Sequence, residues 1–267
     1  MTYRTGFIRG NQLKYFLKAK SLLVWMGVLL MAAPLMGQTP VSEVLVQGHR
    51  CTVVSPAGLP SNAPLVLILH GLGANREDLF ALCKYLYLPP CLFVLPDAPI
   101  SLSGSSEAFA WYDQSTQSRP DIEKSRDYLF EIMDRFSQED SSPSGSGELP
   151  EPRPILIMGF SQGGVMSLEA GLNYKGKIKA IVSMSGYMAD PGKTLAHASA
   201  PFKTPILLVH GTEDHIVSEE WTHTTLEALI KAGYHPVLKE FPMAHQITSE
   251  SLGKVSKFLQ RVLVNDI

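Results

Sequence analysis

Apolar residues in this chain gather into short runs, and the stretches between those runs carry helical spacing. Leu65 to Leu69, Leu92 to Leu95, Ile155 to Met158, Ala180 to Met184, Ile206 to Val209 and Pro236 to Phe241 are too short for helices and are bounded by turn residues. They read as core strands. Val44 to Val46 and Cys51 to Val54 predict an antiparallel lead-in pair. Among the helical stretches, Asp121 to Phe136 sets Leu129, Ile132, Met133 and Phe136 on one face, with acids in the first turn where the helix dipole favours them. Val165, Leu168 and Leu172 form a second stripe. Ser218 is placed to cap a helix through Ile230, and Thr248 one that runs to Val262 with Leu252, Val255, Leu259 and Val262 buried. Strands apolar on both sides and separated by helices predict an α/β fold, a mostly parallel, doubly wound sheet with helices on both faces. Ligands gather at the carboxyl ends of the strands in such a sheet, so the residues that follow each run are where chemistry is expected.

A chain of 267 residues with 45% hydrophobic and 18% charged residues can bury a sizeable core. Its net charge of −2, without a basic stripe, argues against nucleic acid as a partner. The charge is unevenly placed: Arg4, Arg9, Lys14, Lys18 and Lys20 lie in the first 37 residues, and no acid occurs before Glu43. Taking those five from the 23 Lys and Arg leaves 18 against 25 acids, a net of −7 for the remainder. Met1 to Lys20 is basic and polar, Ser21 to Met36 is apolar, and Gly37 to Pro40 breaks the run. This order resembles a secretory signal peptide. It predicts residues 1–37 as a leader, residues 38–267 as a single domain, and a protein that is exported to the periplasm or secreted. An uncleaved leader would instead anchor the chain to a membrane. Residues 137–152, rich in Ser, Pro, Gly and Glu and without periodicity, predict a flexible surface loop. Cys51, Cys83 and Cys91 make an odd count with no CxxC pattern, so neither a disulfide framework nor a zinc site is read, although one bridge is compatible with an oxidising compartment.

The run Ile155 to Met158 leads into Gly159-Phe160-Ser161-Gln162-Gly163, and the stripe of the following helix begins at Val165. An apolar strand, GxSxG and a helix in that order form a nucleophile elbow, a sharp turn that presents the serine at the sheet's edge. A serine hydroxyl needs a base to take its proton, and the base needs an anion to fix its tautomer. In an α/β-hydrolase both follow the serine, acid first. Ile206 to Val209 runs into His210-Gly211-Thr212-Glu213-Asp214, and Pro236 to Phe241 exits toward His245. Both therefore reach the edge that holds Ser161. Asp214 is the expected acid, with adjacent Glu213 as its rival, and His245 the expected base. His210 and His215 read as structural residues of the acid's loop, and His235 should lie at the opposite end of the sheet. Backbone N–H groups of Gln162, just after the serine, and of Leu72, in the glycine-rich His70 to Gly73, are expected to form the oxyanion hole. Trp111, Tyr112, Val217 and Met243 are expected to line a groove for the acyl chain.

Together LILHGLG, VLPDAP at Val94 to Pro99, Trp111-Tyr112-Asp113, GFSQGG, HGTED and Met243-Ala244-His245 resemble the phospholipase/carboxylesterase family that includes acyl-protein thioesterases. The resemblance covers roughly residues 60 to 262. It implies an α/β-hydrolase domain without metal or cofactor, a triad of Ser161, Asp214 and His245, and oxyanion amides at Leu72 and Gln162. HGTED departs from the family's usual HGDxD. The leader and the 137–152 insertion are also unlike the family's cytosolic thioesterases. The activity expected is hydrolysis of carboxylic esters, short to medium acyl esters or lysophospholipids, through an acyl-enzyme. The alternatives are an acyl thioesterase and a non-catalytic binding protein on the same fold.

Overall fold

The computed structural model describes residues 40–116, 119–138 and 151–264. The expected leader 1–37 and most of the expected loop 137–152 lie outside them, while Ser137 and Gln138 belong to a helix. One sheet of eight strands organises the described residues, in the order β1-β2-β4-β3-β7-β8-β9-β10. The strands are β1 (Val41–Val46), β2 (His49–Val54), β3 (Leu65–Leu69), β4 (Leu92–Pro96), β7 (Ile155–Phe160), β8 (Ile178–Met184), β9 (Ile206–Gly211) and β10 (Val237–Phe241). Pairings from β4 through β10 are parallel, whereas β1 with β2 and β2 with β4 are antiparallel. Two further strands, β5 (Ile100–Ser101) and β6 (Phe109–Ala110), make a small separate hairpin.

The apolar runs are unbroken because the central strands bury both faces. On β3, Leu65, Leu67 and Leu69 face one core while Val66 and Ile68 face the other, and Ile155 with Ile157 against Leu156 with Met158 repeats the alternation on β7. Fully burying one such side chain is worth about 1.5–3 kcal/mol. Helices α2 (Arg119–Gln138), α3 (Gln162–Asn173) and α5 (Glu219–Lys231) cover the first face, and the short α1 (Leu82–Tyr85) and α6 (Ser249–Val264) the second. A short α4 (Pro191–Ala196) packs beside α3. Every residue of α3 is buried, since the sheet lies beneath it and α2 above. Arg119 of α2 closes that layer with a two-pronged hydrogen bond to Glu169 at 2.9 and 2.6 Å. Thr248 caps α6 as expected, its Oγ1 accepting from Ser251 N at 3.1 Å. Ser218 occupies the N-cap of α5 but makes no side-chain cap bond.

The last strand differs from the core strand that the run Pro236 to Phe241 predicts. β10 is the sheet's outer strand and buries only Phe241, so its side chains meet one layer of protein and then solvent. The topology nevertheless places its exit where the site requires it. Chain order reverses between β3 and β7, which are hydrogen-bonded neighbours, and at that reversal the loops after the two strands part and leave a crevice.

Candidate active site

Ser161 is the whole connection between β7 and α3, at φ 55° and ψ −120°. Its N–H donates to the Met184 carbonyl at 2.8 Å and its own carbonyl accepts from Val165 N at 3.1 Å. The turn closes because two neighbours have no side chain. A Cβ on Gly159 would stand 2.1 Å from the Gly163 carbonyl oxygen, and one on Gly163 would stand 2.2 Å from that of Leu69. Gly163→Ala therefore forces backbone apart and is expected to cost more than about 4 kcal/mol in denaturant unfolding. Gly253, inside α6 with nothing within 4 Å of its virtual Cβ, is the control: Gly253→Ala should gain about 0.5–1 kcal/mol in the same measurement.

From the ends of β9 and β10 come the two partners that chain order predicts. His245 Nε2 lies 2.9 Å from Ser161 Oγ, and His245 Nδ1 lies 2.7 Å from Asp214 Oδ2. The other carboxylate oxygen of Asp214 accepts from the amides of Ile216 and Val217, each at 2.9 Å. Burial alone would raise the Asp214 carboxyl. The His245 hydrogen bond and charge and the two amides outweigh it and hold the group below its ordinary value. The Asp214 side chain is fully buried while that of His245 is 16% exposed, so the imidazole spans the distance from the interior to the open serine. Phe160 packs on the imidazole with ring centroids 4.8 Å apart. Glu213 is exposed and His215 also points outward, whereas His235 sits exposed ahead of β10, at the far end of the sheet.

The loop after β3 lies directly against the serine, since a Cβ on Gly71 would be 3.4 Å from Ser161 Cβ. His70 anchors it. Its Nδ1 lies 2.7 Å from the Gly71 carbonyl and its Nε2 accepts from Ala98 N at 3.0 Å, and burial pushes this imidazole below its ordinary value, toward the neutral form those bonds require. Leu72 is half-buried at the crevice. Trp111, Tyr112, Val217 and Met243 are all buried, and they support the site from beneath. Trp111 donates its indole N–H to the His70 carbonyl at 2.8 Å, and Met243 gives its carbonyl to Glu213 N at 3.1 Å.

Sequence reading assigned Gln162 only a backbone role, yet its side chain is the hub of this wall. Its Oε1 accepts from Trp111 N at 2.8 Å and its Nε2 donates to the Tyr112 carbonyl at 2.9 Å. Nothing in the spacing announces these contacts, because both partners come from a distant loop. Gln162→Leu leaves two buried backbone groups unpaired, and a loss of about 2–4 kcal/mol is expected by thermal or denaturant unfolding.

A sequence profile described as phospholipase/carboxylesterase matches residues 49–263. The chain belongs to that family. Acyl-protein thioesterase 1 of Schizosaccharomyces pombe is 31% identical to it over 217 residues, 74% of this chain and 90% of the relative. Acyl-protein thioesterase 1 of Gibberella zeae is 28% identical over 81% of this chain and 97% of its own. The crystal structure of esterase PE8 superposes with a TM-score of 0.66 at 27% identity, covering 79% of this chain and 97% of the esterase. Together they make the fold that of the α/β-hydrolases and the chain an ester-hydrolase family member. The expectation of export or membrane anchoring is corrected by these relatives. The two fungal relatives are acyl-protein thioesterases, the group from which the leader and the 137–152 insertion were expected to set this chain apart, and among the described residues no helix is long and apolar enough to cross a membrane.

In this phospholipase/carboxylesterase family member the three cysteines are free thiols. Burial pushes Cys51 up to about 11 and Cys83 and Cys91 up to about 12, so none supplies a thiolate nucleophile at neutral pH. Glu219, His223 and Glu240 bring ligand-type atoms within 4.8 Å of one another, but they pair among themselves, His223 of α5 lying 3.5 Å from Glu219 of the same helix and 2.9 Å from Glu240 of β10. A cavity of about 640 Å³ lies at the far end of the sheet against Tyr174 and Lys177. A smaller one of about 460 Å³ opens beside the acid's loop, bounded by Asp214, Ile216 and Trp221.

Proposed function

We propose that Ser161, His245 and Asp214 hydrolyse acyl esters by acyl transfer through the serine. The unbroken line of hydrogen bonds from Ser161 Oγ through His245 to Asp214, at 2.9 and 2.7 Å, carries this reading. Ser161 Oγ attacks the acyl carbonyl as His245 Nε2 takes its proton, and Asp214 stabilises the imidazolium that forms. The amides of Leu72, in the loop after β3, and of Gln162, the first residue of α3, receive the oxyanion. His245 returns the proton to the departing alcohol or thiol, and a water activated by the same imidazole releases the acid. Short to medium acyl esters or lysophospholipids are the substrates. The names of the two fungal relatives favour a second reading, in which the leaving group is a thiol and the substrate an acyl thioester.

A fluorophosphonate should label the protein once per chain, with the adduct mapped to Ser161 by peptide mass spectrometry. Oxyesters and thioesters of matched acyl length, compared by kcat/KM, then separate the two leaving groups. Failure to label, together with no turnover of any ester in the series, would leave only a binding protein on this fold.

A further inference from the structure

His210 is a polar residue in the otherwise apolar β9, completely buried, and the reaction above gives it no part. Its Nε2 lies 3.0 Å from the Val217 carbonyl, and since a carbonyl only accepts, that nitrogen carries a proton. The same Nε2 stands 3.7 Å from Asp214 Oδ2, both side chains being shut off from solvent. That is too long for a hydrogen bond, but it turns the positive end of an N–H toward a buried carboxylate. On the ring's other side, Nδ1 lies 2.8 Å from Thr222 Oγ1 of α5, and that hydroxyl lies 3.1 Å from the Gly186 carbonyl after β8. Three elements thus hold the imidazole in one orientation.

We propose that His210 is a positioning residue for the acid, acting through Val217. The amide of Val217 donates to Asp214 and its carbonyl accepts from His210, so this one residue is tied on both sides and the turn Asp214 to Val217 has a single register. Asp214 Oδ2 then lies between two imidazoles, His245 at 2.7 Å and His210 at 3.7 Å, with the first as its hydrogen-bond partner and the second backing the loop. Removing the donor of His210 orphans a buried carbonyl, and the turn can recover a partner only by moving the carboxylate that fixes His245.

This inference rests on the acyl-transfer reading. A wild-type protein without turnover defeats that reading, while an active wild type with unaffected variants defeats only this one. Steady-state kinetics on a nitrophenyl ester, with unfolding midpoints in parallel, compare the wild type with His210→Leu, His210→Gln and Thr222→Val. His210→Leu should lower kcat by about 100-fold with KM within about twofold, the scale of a misplaced catalytic group. His210→Gln keeps an N–H within reach of Val217 and should recover about tenfold of that loss. In an Asp214→Asn background, read by the rate of fluorophosphonate labelling, His210→Leu should cost less than about threefold more, since the acid it positions is gone. Thr222→Val removes the hydroxyl that orients the ring and should lower kcat by about tenfold; it carries the test alone if His210→Leu does not fold. Any of these overturns the proposal: a folded His210→Leu or Thr222→Val with wild-type kcat, equal impairment by Gln and Leu, or a full further loss in the Asp214→Asn background.

Discussion

Ser161→Ala is expected to lower kcat for a nitrophenyl ester by about 10⁶-fold, the scale found when a triad nucleophile is deleted. No neighbour can substitute for it. The three cysteines are free, Cys51 and Cys91 buried and Cys83 half-buried, and desolvation keeps their thiols protonated at neutral pH. The turn itself should survive, because the two glycines and the backbone bonds of Ser161 to Met184 and Val165 do not involve the hydroxyl. A positive φ in a residue with a Cβ costs about 1–3 kcal/mol, so the position is strained in both serine and alanine. Ser161→Gly relieves that strain. Its unfolding midpoint should therefore be above that of Ser161→Ala while its activity is equally absent. Wild-type turnover in either variant would take Ser161 out of the reaction, and a lower midpoint for glycine would mean that the elbow is not strained.

What could be read in the residues follows from where burial is two-sided. β3 carries five apolar residues that all face a core, and its bounds coincide with the apolar run. β5 and β6, two residues each, lie below the length at which any periodicity exists, while Pro236 to Phe241 carries Lys239 and Glu240, a polar pair that marks an outer strand and sets it apart from the apolar inner ones. The convergence of Ser161, Asp214 and His245 was legible because each residue follows its own run, and a parallel sheet sends every such exit to one edge. Side-chain aim was not legible. Trp111 and Tyr112 were expected to line a groove, but the Gln162 amide and the His70 carbonyl draw them beneath the surface. His210 did carry a signal, a histidine set directly at the end of an apolar run, whose meaning depended on Thr222 and Val217, which the sequence does not bring together.

Asp214→Asn should lower kcat by about 10⁴-fold with the fold intact, the scale of a triad acid replaced by its amide. The amide keeps one oxygen, and that oxygen can still accept from Ile216 and Val217, so the loop holds. The loss occurs at the other atom. Where Oδ2 now accepts from His245 Nδ1 at 2.7 Å, an N–H would face that nitrogen, and the imidazole would have to carry its proton on Nε2, toward Ser161. A base whose proton already points at the nucleophile cannot take another from it. Glu213→Gln, at an exposed neighbour, should leave kcat within about twofold, and the pair of variants decides between the two acids of the loop. The carboxylate also links activity to acid stability. Because the folded Asp214 sits below its ordinary 3.8, its contribution is fully present above that value and fades as pH falls through the folded one, so the wild type should lose more stability on acidification below 3.8 than Asp214→Asn does. Equal acid sensitivity of the two proteins would show that Asp214 gains nothing from its partners on folding, and the hydrogen bonds to His245, Ile216 and Val217 could then not be what holds the acid in place.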